Sequence, residues 1–98
     1  MQPITFEQLS NIIDSQIQSA VGGFNHSLKN SIANNHERSF VFNLASIFKN
    51  KLSGVQDFVC QMKVTGIIDI IEHAELFEKI QAAADEIFNA AMEYRKPI

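Results

Sequence analysis

With 98 residues, 46% of them apolar, the chain is long enough for one domain with a single core and too apolar to be mainly disordered. The formal charge of −3 is unevenly spread: residues 1–54 hold four basic against three acidic side chains, and 55–98 hold four against eight, so no basic stripe is on offer to duplex nucleic acid. The lone cysteine, Cys60, excludes an intrachain disulfide and a Cys-rich zinc site, and no segment reaches the roughly 20 apolar residues of a membrane-spanning helix.

Eight Phe, one Tyr and no Trp suit core filling better than an exposed stacking platform. The opening MQPITFEQLS has no basic stretch followed by an apolar run. It does not read as a secretory leader, and a reducing, cytoplasmic setting is the expectation. Cys60, beside Phe58 and Val59, is expected to be a buried thiol.

Thr5 followed by Gln8 has the spacing of a capping box and predicts a helix from about Phe6. Apolar residues then recur at Phe6, Leu9, Ile13, Ile17, Ala20, Phe24, Leu28 and Ile32, at helical spacing throughout. The stripe crosses Gly22 and Gly23, each costing about 1 kcal/mol against Ala in a helix interior. They predict either a break or a close approach by another part of the chain, and we expect a kink. Asn34 and Asn35 supply the next turn, since Asn both ends helices in the left-handed region and begins them as a cap.

A second helix is predicted over 35–52. Phe40, Val41, Phe42, Leu44, Ala45, Ile47 and Phe48 spread over roughly 220° of it, at about 100° per residue, more than a one-sided surface helix needs. Glu37, three residues after Asn34, is expected to cap this helix through the Asn34 amide. Ser53 and Gln56 repeat the capping-box spacing and predict a third helix over 54–64. Beyond a break at Thr65–Gly66, the run VTGIIDII reads as a helical turn. The last helix, predicted over 73–95, carries Leu76, Phe77, Ile80, Ala84, Ile87, Phe88 and Ala91 on one face and Glu75, Glu78, Asp85, Glu86 and Glu93 on the other. Arg95, Lys96 and Pro97 are expected to end it. The sum is one all-α domain, residues 1–98, a compact bundle of four main helices with the first kinked near Gly22–Gly23.

Little here is arranged for chemistry. Asp69 and His73, or Glu72 and Glu75, have the spacing to share a helix face, but Glu-x-x-His never occurs, so a solvated acidic ridge is expected and no metal or cofactor is predicted. No glycine-rich phosphate loop, nucleophile elbow or zinc-protease motif is present. The leading expectation is a small non-catalytic protein–protein interaction module, a regulator, inhibitor or immunity-type protein, partnered by itself as a homo-oligomer or by a target. Its interaction face would combine Phe40, Phe42, Ile47 and Phe48 with the acidic Glu75, Glu78 and Glu86.

An alternative rests on two short stretches. HERSFVFNLASIF resembles the first helix of the restriction-endonuclease-like PD-(D/E)XK nucleases, with Glu37 near the helix start, and CQMKVT is similar to their (D/E)xK strand, with Gln61 at the carboxylate position and Lys63 as the lysine. The resemblance implies a degenerate or partial nuclease domain associated with nucleic acid, Glu37 and Lys63 being its functional residues. The strand that would bring the metal-binding Asp has no room, since Asp57 stands four residues before Gln61.

Overall fold

The computed structural model describes residues 5–94, and these form three helices: α1 (Phe6–Ala33), α2 (Arg38–Val64) and α3 (Ile70–Glu93). Connections of a few residues make neighbouring helices antiparallel. The result is a slender up-down-up bundle with extents of 56 × 21 × 15 Å.

α1 begins as its sequence predicts. The Thr5 hydroxyl accepts from the Gln8 amide (3.1 Å) and the Gln8 side chain accepts from the Thr5 amide (3.0 Å), a complete capping box. The expected kink does not interrupt it: α1 is one helix across Gly22 and Gly23. Of the two ways of using paired glycines, close approach is the one realised at Gly23. A Cβ there would lie 2.7 Å from Cε1 of Phe48, whose ring also meets Phe24 edge-on at a centroid distance of 6.1 Å.

Asn35 ends α1 in the left-handed region, φ 56°, as the Asn pair predicts. The Asn35 amide bonds the Ile32 carbonyl and the His36 amide bonds the Ser31 carbonyl, so two orphan carbonyls of the last turn are satisfied. α2 then starts at Arg38, later than the expected position 35. Glu37 sits at the N-cap itself, and its side chain makes no cap hydrogen bond, so the expected cap to Asn34 is not the one adopted. In the N-cap position the residue lies ahead of the helix, whereas the capping-box geometry requires it to be three residues inside.

The predicted second and third helices are one. α2 runs through Ser53 and Gly54 without a stop, and the capping-box pattern at Ser53–Gln56 goes unused. Core packing explains this: Val41, Ala45, Leu52 and Val59 are all buried, at spacings that stay in phase across Ser53–Gly54. A break there would rotate Val59 away from its neighbours.

α2 does end at Thr65–Gly66, where the break is expected. Gly66 has φ +80°, its amide bonds the Lys63 carbonyl and the Ile67 amide bonds the Met62 carbonyl. The VTGIIDII run is thus a turn leading into α3, which starts at Ile70 and so earlier than position 73. Asp69 caps it, accepting from the Glu72 amide (2.8 Å), while Glu72 accepts from the Asp69 amide (3.0 Å). The predicted stop at Arg95, Lys96 and Pro97 lies outside the described residues.

The core takes Leu9, Ile13, Ala20 and Phe24 from α1, the four α2 residues above, and Leu76, Ile80, Ala83, Ile87 and Ala91 from α3. Ile68 and Tyr94 close its two ends. At the Tyr94 end the phenol donates to the His36 carbonyl and lies 3.4 Å from the Ser31 carbonyl. Arg38 Nη2 donates to the Met92 carbonyl (3.0 Å) and its guanidinium lies 5.3 Å from the Phe42 ring centre. The end of α3 is thereby tied to the α1–α2 turn.

Candidate functional site

Three helices can cover only one side of each pair. α3 lies in one groove between α1 and α2, and among the described residues no third helix lies over the opposite side of that pair. Contacts fix the sides of α2. Arg38 meets Met92 and Lys49 lies over Phe88, so that edge faces α3, while Phe48 faces Gly23 and Phe24 of α1. At 100° per residue, Phe40, Ile47, Gly54 and Phe58 fall together on the remaining side. Phe40, Ile47 and Phe58 are 43%, 53% and 41% exposed, and Ile12 of α1, also on this side, is 43% exposed.

The open side has relief. A groove of about 440 Å³ lies between α1 and α2, lined by Ile12, Gln16, Ser19, Ala20, Lys51, Gly54, Val55 and Phe58. It occupies the half of the face nearer the α2–α3 turn. Phe40 and Ile47 lie on the other half, where the Phe40 ring stands 4.2 Å from the His36 ring and borders a smaller recess with Ser27, Asn30 and Leu44. Between Phe40 and Phe58 on this side Lys51 carries the only formal charge, and its ammonium sits 4.7 Å from the Phe48 ring centre. α1 contributes Ile12, Gln16, Ser19, Gly23 and Asn30 here, none of them charged.

The predicted interaction face is therefore divided by the fold. Phe40 and Ile47 are on the open side. Phe48 is half-buried against α1, and Phe42 is half-buried beneath the Arg38 guanidinium. Glu75, Glu78 and Glu86 are exposed on α3 and do not join the phenylalanines. The wide apolar arc of α2 is real, and it is wide because this helix packs against α1 on one flank and α3 on the other.

A second apolar cluster stands at the end of the bundle, where Val64, Ile67, Ile70 and Ile71 are 78%, 49%, 69% and 71% exposed around the α2–α3 turn. The β-branched run VTGIIDII is its signal in the sequence, though strand propensity rather than exposure is what such a run first suggests.

Cys60 is exposed, contrary to the expectation of burial, with its Sγ 3.5 Å from Nε2 of His73. Phe58 and Val59 were poor guides to it, because successive helical residues point 100° apart and only Val59 turns inward. Asp69 and Glu72 serve the cap of α3, and among the described residues no three His, Cys, Asp or Glu side chains gather as a metal site. Glu37 precedes α2 and Lys63 lies in its last turn, so some 25 residues of helix, about 38 Å at 1.5 Å each, separate them. The stretch CQMKVT, which the nuclease resemblance makes a strand, is the end of α2 and its C-cap.

The fold thus defines the class: an all-helical, three-helix bundle, with no helix among the described residues long and apolar enough to cross a membrane. No protein-family model matches the chain, and neither a curated protein nor a solved structure matches it.

Proposed function

We propose that this protein is a non-catalytic interaction module that works through the open side of the α1–α2 pair. The observation that supports this reading is the placement of Ile12, Phe40, Ile47 and Phe58, four large apolar side chains each more than 40% exposed, on one side that is nearly free of charge. Exposed apolar residues scattered singly are ordinary, but several on one side of the bundle, two of them lining a groove, favour a contact surface. The role proposed for such binding is that of a regulator, inhibitor or immunity-type protein.

A photo-crosslinking residue at position 47, introduced into the chain in its native cell, tests the reading. A discrete crosslinked product is expected, either a second copy or one other protein, and the same residue at exposed Asn25 should give none. Absence of any product at position 47 would sink the module.

A further inference from the structure

We draw no further inference here: the strongest candidate, the exposed side-chain pair of Cys60 on α2 and His73 on α3, is a single thiol 3.5 Å from one imidazole that gathers no third His, Cys, Asp or Glu among the described residues, and nothing in the structure points to a metal or other ligand there.

Discussion

Gly22 and Gly23 are adjacent and chemically identical, yet their surroundings differ. Nothing lies within 4 Å of a Cβ added at Gly22, whereas one at Gly23 would be 2.7 Å from the Phe48 ring. Gly22→Ala should gain about 1 kcal/mol from helix propensity alone. Gly23→Ala has the same gain and must displace the ring, at a cost of about 1–3 kcal/mol for an overfilled contact. Urea unfolding at one fixed protein concentration should rank Gly22→Ala above the parent, and Gly23→Ala level with it or below. Equal gains would mean that the Phe48 ring moves aside freely. Tyr94 provides a second test. Its phenol donates to a carbonyl in the α1–α2 turn from the far end of the chain, so Tyr94→Phe leaves that acceptor without its donor and should cost about 1–2 kcal/mol in the same measurement. Neither glycine nor tyrosine announces its partner in the sequence. Both partners are distant along the chain, and local spacing carries no information about them.

The capping-box spacing occurs at several helix-forming places, and the elements decide what it does. At Thr5–Gln8 and Asp69–Glu72 it forms in full, and at Ser53–Gln56 the helix simply passes through. Asp69→Ala should therefore cost about 1 kcal/mol, the usual worth of an N-cap, while Ser53→Ala should leave stability unchanged or raise it by up to about 0.5 kcal/mol through helix propensity. Thermal unfolding of the two variants against the parent checks this, and a loss in Ser53→Ala comparable to that in Asp69→Ala would restore the break. The sequence did hold the better signal. Buried Ala45, Leu52 and Val59 recur every seven residues straight across Ser53, and a period carried by core residues outweighs one side-chain bond. The start of α3 was also legible in Asp69-x-x-Glu72, but the β-branched run before it masked the cap.

At the scale of the molecule, charge and apolar surface are segregated. The carboxylates Glu75, Glu78, Asp85, Glu86 and Glu93 are exposed on α3, and the open side of α1–α2 is close to neutral. Binding through the neutral side should accordingly change by less than roughly threefold between low and high salt, because screening acts on charges and not on apolar burial. A contact made through the α3 carboxylates would instead change steeply with salt. The yield of the crosslink from position 47 at two ionic strengths separates these outcomes. The Lys79–Asp14 ion pair, which joins α3 to α1 at 3.2 Å, has side chains 44% and 43% exposed and contributes at most about 1 kcal/mol to the bundle.

The sequence by itself determined the all-helical class, the start of α1 at its capping box, the left-handed turn at Asn35 and the end of α2 at Gly66, because each depends on hydrogen bonds and dihedral preferences within a few residues. Tertiary structure alone decided that Gly23 receives a ring, that Cys60 faces outward and that Phe42 and Phe48 are covered while Phe40 and Ile47 are not. The physical reason is the same in each case. Helical period places an apolar residue at an angle on its own helix, but which angles are covered depends on where the other two helices lie, and that is settled by packing between residues far apart in the chain.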